Sequence, residues 1–413
     1  MSGIRVSELS SGIRLVTESM PEVASACVGV WVGTGSRDEA EEESGISHFL
    51  EHLLFKGTPD RSAREIAEVV DEVGGDMNAY TTKEYTTFYV RLLSEHLCLG
   101  LDILCDILQD PALRPAEVDA ERQVILEEVL MHLDEPADLV QEDFAEALFP
   151  GHPLGREVLG LPEVVSAVGV AEIRRFFDTH YRPGNMVVAA AGSIDHDDVA
   201  AAIEARFFRH GGAPPTRRPP GGSVLGSRVR RDDTEQAHLV YGTRAPDRHD
   251  PERFALVVLN HVLGGGLSSR LFQKVREERG LAYSIGSDRI AYDDAGALAV
   301  SVGTAPGHAR EVLGLIEEEL EALVRRGVTE RELAVAQRHL CADLLLSLED
   351  SGARMSRIGS SLLLHGQVLT VEEMLERIGG VTLDAVHEVA RRVLAADRVL
   401  AVVGPFDEDA FAA

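Results

Sequence analysis

The segment SHFLEH, residues 47–52, decides how the fold of this chain is interpreted. It places His48 and His52 four residues apart, with Glu51 between them. On an α-helix, side chains at i and i+4 lie on one face a turn apart, so both imidazoles point toward one spot. Imidazole nitrogens are ordinary zinc ligands, and a nearby carboxylate can act as the general base of a metal hydrolase. The segment therefore predicts a zinc site on a helix.

The flanking residues predict a helix that packs on a core. Apolar side chains recur at helical spacing: Ile46, Phe49, Leu50, Leu53 and Leu54. The polar members of the motif fall on the other side. Ser44 is the expected N-cap, and Gly57 with Pro59 is the expected stop, which places the helix at about residues 45–56. The alternative is a solvated helix face with two ordinary histidines.

A catalytic zinc site needs a third protein ligand and leaves one position to water. The helical stretch AERQVILEEVL, residues 120–130, offers two adjacent carboxylates, Glu127 and Glu128. Adjacent residues on a helix point about 100° apart, so only one of the two can face the metal. The residues alone leave that choice open.

The segments HFLEH, LLFKGT and ERQVILEEV, in this order and spacing, resemble the pitrilysin-type zinc metallopeptidases with the HxxEH motif. The chain is most similar to their shorter, processing-peptidase-like branch, and the likeness extends over nearly its whole length. The resemblance implies that Glu128 is the third zinc ligand and that Glu121, two turns earlier, is a supporting acidic residue. For Glu121 the alternative is a surface carboxylate on an acidic protein.

A second segment, GGDMNAYTT at residues 74–82, breaks a helix and enters an extended stretch. An exposed strand edge can bind a peptide as one additional strand through main-chain hydrogen bonds. The resemblance implies that Asn78 and Ala79 lie on such an edge and bind substrate. An asparagine in a turn before an ordinary strand is the alternative.

The second half carries an altered copy of the motif. A shift of 261 − 52 = 209 residues aligns His52 with His261, and Val257 and Asn260 then stand where the first histidine and the glutamate stood. One imidazole cannot hold a catalytic zinc, and an amide is not a base, so this half is predicted to lack its own site.

Two further features lie in the second half. Residues 263–270 form a Gly-rich loop that lacks the Lys-Ser/Thr ending of a phosphate-binding P-loop, so nucleotide binding is a minor alternative. The resemblance implies that Arg276 and Tyr283 reach across a cleft, Arg276 toward the peptide backbone and Tyr283 toward the oxyanion. A surface salt bridge and a half-buried core tyrosine are the alternatives.

Residues 211–223 are dense in Pro and Gly and predict a linker. We expect a catalytic zinc-binding domain at 1–210 and a homologous domain without its own zinc site at 224–413. Mixed strand and helix patterns indicate an α+β fold. The resemblance implies two such domains, each a mainly antiparallel sheet with helices packed on one face, facing each other across a cleft.

Composition narrows the function. The 413 residues carry a net charge of −29, which argues against nucleic acid as a partner, and residues 1–6 show no basic start leading into an apolar stretch. No apolar run is long enough for a membrane helix. Because no secretion or transit signal is visible, we expect a cytoplasmic location. The acidic balance suits basic peptides, although solubility alone explains it.

The zinc-site residues together with the resemblance imply a zinc-dependent endopeptidase that cleaves unstructured peptides or presequence-like segments. Imidazole and carboxylate ligands suit several divalent ions, so the metal in the cell stays open. The resemblance implies a homodimer or a heterodimer with a related subunit. The main alternative function is a noncatalytic scaffold or regulatory subunit, since the family includes members without a zinc site.

Overall fold

The computed structural model describes residues 3–411, which form two compact units. The first unit comprises the residues up to Leu130, together with 157–217 and 345–370; the second comprises 131–156, 218–344 and the residues from Val371 on. Each unit thus contains segments from both halves of the sequence. The domain boundaries at residues 210 and 224 stay a prediction, and its outermost residues, 1–2 and 412–413, lie outside the described part.

The chain alternates between strands and groups of helices. The strands are β1 (Ile4–Glu8), β2 (Arg14–Ser19), β3 (Ser25–Val32), β4 (Asp76–Thr81), β5 (Thr86–Leu93), β6 (Met186–Gly192), β7 (Gly226–Arg231), β8 (Ala237–Ala245), β9 (Ala282–Ala291), β10 (Gly296–Thr304) and β11 (Val399–Gly404).

The helices fall between these strands. They are α1 (Ile46–Leu54), α2 (Ala63–Glu72), α3 (Leu97–Gln109), α4 (Pro115–Leu133), α5 (Pro136–Leu148), α6 (Pro162–Ala167), α7 (Val170–His180), α8 (His196–Glu204), α9 (Arg253–Leu263), α10 (Ala309–Arg326), α11 (Glu330–Ser347), α12 (Ser351–His365), α13 (Val371–Gly379) and α14 (Leu383–Leu394). A π-helical segment occupies Phe272–Glu277.

Each unit is built on one sheet. The strand order is β1-β2-β6-β3-β5-β4 in the first unit and β7-β11-β8-β10-β9 in the second. All neighbouring strands are antiparallel except the pairs β2–β6 and β7–β11. The prediction of an α+β fold with mainly antiparallel sheets is confirmed. The order also leaves β4 at an edge of the first sheet.

Strand β3 shows how the first sheet is covered on both faces. Successive side chains of a strand point to opposite faces. Val28 and Val30 belong to the core that contains the apolar stripe of α1, whereas Cys27 and Trp31 belong to a second core formed with α12. Apolar residues on both faces of β3 therefore bury against different helices.

Helix α12 approaches the sheet closely because it has a glycine at the contact. A Cβ on Gly359 would lie 2.5 Å from the Trp31 ring, closer than van der Waals contact allows. The side chain of Glu18 adds polar contacts to the same helix, since it accepts hydrogen bonds from Arg354 and Arg357. These contacts fix α12 on the first unit although it comes from the second half of the sequence.

The second unit shows the reciprocal arrangement. Helices α9, α10 and α14 share one core with its sheet, while Phe144 and Leu148 of α5 pack in another core with Val240 and Ala401. Asp143 of α5 accepts two hydrogen bonds of 2.7 Å from the Arg230 guanidinium. Helix α5 therefore belongs to the second unit although it comes from the first half of the sequence.

The Pro-rich segment 211–223 has no regular secondary structure, but Arg217 anchors it to the first unit. Its guanidinium donates hydrogen bonds of 2.7 and 2.8 Å to the Asp38 carboxylate and one of 2.6 Å to the Glu84 carbonyl. Charge-assisted bidentate bonds of this kind are among the stronger hydrogen bonds in proteins. The connection is thus attached at this point.

None of the helices within residues 3–411 combines the length and the apolar composition that crossing a membrane requires.

Candidate metal centre

Helix α1 carries the HxxEH motif, and its first turn is capped by a distant carboxylate. Gly45 is the N-cap, with φ of 94°, and its N–H and that of Ser47 each donate a 2.8 Å hydrogen bond to the Glu39 side chain. A negative charge at a helix N-terminus also interacts favourably with the helix dipole. The prediction of Ser44 as N-cap was wrong, because the chain enters the helix through a left-handed residue that glycine adopts readily.

Three potential ligand atoms converge on one point. The Nε2 atoms of His48 and His52 are 3.2 Å apart, and each lies 3.6 Å from Oε2 of Glu128. In a tetrahedral zinc site with bonds of about 2.0–2.1 Å, the ligand atoms are about 3.3 Å apart. The three atoms therefore have the separations that a zinc ion needs, and they form the one such group found among residues 3–411.

The two adjacent carboxylates of α4 differ in position. Glu128 is half-buried and its Oε2 lies near both histidines, whereas Glu127 is exposed to solvent. This difference follows from the angle of about 100° between neighbouring residues of a helix. The geometry thus favours Glu128 as the third ligand.

Glu121 fixes the tautomer of His52. Its Oε1 lies 2.9 Å from Nδ1 of His52, and its Oε2 lies 2.6 Å from Nζ of Lys56. Because a carboxylate only accepts, Nδ1 of His52 carries the proton, and Nε2 presents its lone pair to the centre. Glu121 is 6% exposed, so this carboxylate is an internal group rather than a surface charge.

His48 is held in the neutral form. Burial, reinforced by the neighbouring His52, lowers the pKa of His48 to about 4. Its Nδ1 is buried without a hydrogen-bond partner in the described structure, while its Nε2 faces the centre. A neutral imidazole is the form that binds a divalent metal.

Glu51 occupies a less polar environment than an ordinary surface carboxylate. Burial raises the pKa of Glu51, and a 2.6 Å hydrogen bond from the Thr81 hydroxyl opposes that rise. Glu51 is not part of the three-atom group, although it lies on the same helix. Its carboxylate therefore stands apart from the three potential ligand atoms.

The residues fit a zinc ion in both geometry and chemistry. They supply two neutral imidazoles and one carboxylate, with the ring orientation of one histidine fixed by a second carboxylate. Three protein ligands leave a fourth position for water, which is the pattern of catalytic rather than structural zinc sites.

The edge strand β4 lies next to α1 in the first unit. Asn78 is exposed, and its Oδ1 accepts a 2.8 Å hydrogen bond from the Ala79 N–H. This side chain covers a main-chain donor on a strand edge that would otherwise be open to pairing.

Arg276 and Tyr283 lie together in the second unit. The Arg276 guanidinium carbon is 5.0 Å from the centre of the Tyr283 ring and 4.7 Å from that of Phe272. Tyr283 is 82% exposed, so its phenol is open to solvent. The alternative of a half-buried core tyrosine does not describe this arrangement.

Three residues of the site escaped the sequence analysis: Glu39, Lys56 and Thr81. Glu39 caps α1 from six residues before Gly45, and Thr81 reaches Glu51 from a strand 30 residues further along. Lys56 follows the motif by one helical turn, but its acidic partner Glu121 lies on α4, so the residues around Lys56 gave no sign of the ion pair.

Comparison with known proteins identifies similar families. Residues 14–161 match the family model described as insulinase (peptidase family M16), and residues 167–340 match the model described as peptidase M16 inactive domain.

Curated relatives extend over almost the whole chain. An uncharacterized zinc protease of Streptomyces coelicolor is 43% identical, covering 98% of this chain and 90% of its own length. Another, from Mycobacterium tuberculosis strain H37Rv, is 44% identical over 97% of this chain and 93% of its own length. YmxG of Bacillus subtilis, also described as an uncharacterized zinc protease, is 38% identical over 96% and 97%.

Solved structures share the fold at lower identity. A protease from Helicobacter pylori superimposes with a TM-score of 0.91 at 23% identity, covering 98% of this chain and all of the other. A peptidase M16 inactive domain from Pseudomonas fluorescens gives 0.91 at 20% identity, with 98% of each chain covered.

Proposed function

Because the chain belongs to peptidase family M16, the insulinase family, we propose that it is a zinc-dependent endopeptidase that hydrolyses unstructured peptides or presequence-like segments. In this proposal His48, His52 and Glu128 hold the metal, and Glu51 is the general base. The observation that carries it is the convergence of two imidazole nitrogens and one carboxylate oxygen within 3.6 Å, beside a separate carboxylate.

Each residue has one task in the reaction. A bound zinc ion would supply Lewis-acid character and lower the pKa of a water molecule. Glu51 accepts a proton from the attacking water and returns it to the departing amine. Glu121 keeps the proton of His52 on Nδ1, so that Nε2 stays available as a ligand.

We propose that the peptide binds along β4 through Asn78 and Ala79. Support comes from the position of β4 at the sheet edge. The Ala79 N–H on this strand donates a hydrogen bond to the neighbouring Asn78 side chain. A backbone carbonyl of the peptide can take the place of the Asn78 amide oxygen as the acceptor of the Ala79 N–H hydrogen bond. Main-chain pairing of this kind places few demands on substrate sequence, which suits unstructured peptides.

We further propose that Arg276 and Tyr283 contribute to substrate binding and to stabilisation of the oxyanion. Support comes from the resemblance to the family and from the exposed phenol of Tyr283. The Arg276 side chain is only partly exposed, and its Nε lies 3.7 Å from the Glu277 carboxylate, so its role rests on the resemblance. A guanidinium and a phenol are suitable donors to developing negative charge.

Tyr283→Phe tests the oxyanion role. We expect kcat to fall about 10²-fold while KM changes little, because the lost donor acts only in the transition state. Tyr241→Phe is the control, since the Tyr241 hydroxyl already donates to Glu317 within the same unit. An unchanged kcat in Tyr283→Phe would remove the oxyanion role.

The proposed function predicts that hydrolysis depends on the metal. Wild-type protein incubated with a mixed library of unfolded peptides should cleave them, lose activity on chelation and recover it with zinc. Mass spectrometry identifies the products, and elemental analysis measures bound zinc. Zinc-loaded protein that cleaves nothing, alone or with a related subunit, would indicate a noncatalytic scaffold or regulatory role.

We propose that the active form is a homodimer or a heterodimer with a related subunit. The support is the resemblance alone. Light scattering on the active sample identifies the assembly.

A further inference from the structure

The edge strand contacts the proposed base through Thr81, whose hydroxyl and main-chain N–H both hydrogen-bond with the Glu51 carboxylate. The Thr81 hydroxyl oxygen lies 2.6 Å from Oε2 of Glu51. We infer that Thr81 is a positioning residue whose hydroxyl holds Oε2 of Glu51 and thereby leaves Oε1 as the oxygen that accepts the proton of the attacking water. This inference rests on the proposed function.

The direction of the hydrogen bond follows from counting protons. A hydroxyl has one proton to donate, and an ionised carboxylate can only accept. The neighbouring hydroxyl of Thr86, 3.4 Å from that of Thr81, donates to the carbonyl of Thr34 at 3.0 Å. The hydroxyl proton of Thr81 is therefore available for the hydrogen bond to Glu51, because the Thr86 hydroxyl does not need to accept it.

The strand itself fixes the position of the hydroxyl. Every residue of β4 is paired with β5, from Asp76 opposite Arg91 to Thr81 opposite Thr86. Thr81 and Ala79 share one face of the strand, since side chains alternate along it, and both are half-buried. The donor thus belongs to a rigid element rather than to a mobile loop.

This arrangement gives β4 two tasks. The same strand that offers its edge to the peptide also orients the carboxylate that acts on the peptide bond. A base held at one oxygen has fewer orientations to search, and a displacement of about 1 Å at a reacting group can cost about 10²-fold in rate. The hydroxyl of Thr81 therefore aligns the base with a peptide docked on β4.

The test compares Thr81→Val, which removes the hydroxyl at nearly constant shape, with Thr81→Ser, which keeps it. We expect Thr81→Val to lower kcat about 10- to 100-fold, with KM within about twofold and zinc content unchanged. Thr81→Ser should retain kcat within about threefold, because the donor is preserved. A crystal structure of Thr81→Val should show Glu51 rotated from its present orientation, which reads out positioning without turnover.

Thr87→Val is the matched control on the paired strand. The Thr87 hydroxyl is buried and has no hydrogen-bond partner in the described structure, so its removal should leave kcat unchanged. Equal loss in Thr81→Ser and Thr81→Val would overturn the inference, as would an unmoved Glu51 in the Thr81→Val crystal. If wild type cleaves no peptide, the proposed function fails, while the orientation of Glu51 still decides whether Thr81 positions it.

Discussion

Glu51→Gln is expected to abolish peptide hydrolysis while the protein retains its metal. The amide has nearly the shape of the carboxylate, and its oxygen can still accept a hydrogen bond from the Thr81 hydroxyl. It cannot, however, take a proton from water. General-base catalysis contributes about 10²- to 10⁴-fold, so kcat should fall by at least that factor. The measurement is kcat on an unfolded peptide substrate, together with zinc content by elemental analysis.

The control for this variant is Glu42→Gln, which makes the same chemical change at an exposed position shortly before the motif. It should match wild type in both activity and zinc content. Activity retained by Glu51→Gln would show that another group is the base. Loss of zinc from a folded Glu51→Gln would instead make Glu51 a ligand, contrary to its place outside the three-atom group.

Glu128→Gln is expected to weaken zinc binding strongly, whereas Glu127→Gln is expected to leave it unchanged. Glu128 supplies the oxygen 3.6 Å from both histidine nitrogens, and without it the centre keeps only two ligands. A neutral amide oxygen is a poorer ligand for zinc than a carboxylate because it does not compensate the charge of the ion. Activity of Glu128→Gln should fall with its zinc occupancy.

Equilibrium dialysis against a competing chelator measures the affinity of both variants. The comparison is well matched because the two residues are adjacent on α4 and only one of them faces the centre. Equal zinc affinity in both variants would remove Glu128 from the ligand set. Stronger loss in Glu127→Gln would transfer the role to that residue.

The parts of the fold with strong local signals were predictable from sequence. The helical stretch expected at residues 120–130 lies within the helix Pro115–Leu133, and the motif helix expected at 45–56 is Ile46–Leu54. Both carry apolar residues at helical spacing, a pattern that depends only on the chain nearby. The two histidines were also predictable, since one helical turn brings them together without any tertiary contact.

Contacts made by distant residues left no local pattern. Thr81 meets Glu51 only because β4 pairs with β5 and lies beside α1, and Glu39 meets Gly45 only because the intervening loop folds back. The sequence also did not show which helix packs on the second face of each sheet. An apolar run such as β3 reads as buried on both faces, but it does not say which helix buries it.

The exchange of helices between the halves of the sequence has a consequence for truncated forms of the chain. A fragment ending at the Pro-rich segment would lack α12 and would expose the apolar face around Trp31, while the remaining fragment would lack α5. Neither half encodes a complete unit, so loss of either one would leave an unstable, aggregation-prone product. The second half is therefore needed to complete the fold of the first, even though Val257 and Asn260 stand where a metal-binding copy would need histidine and glutamate.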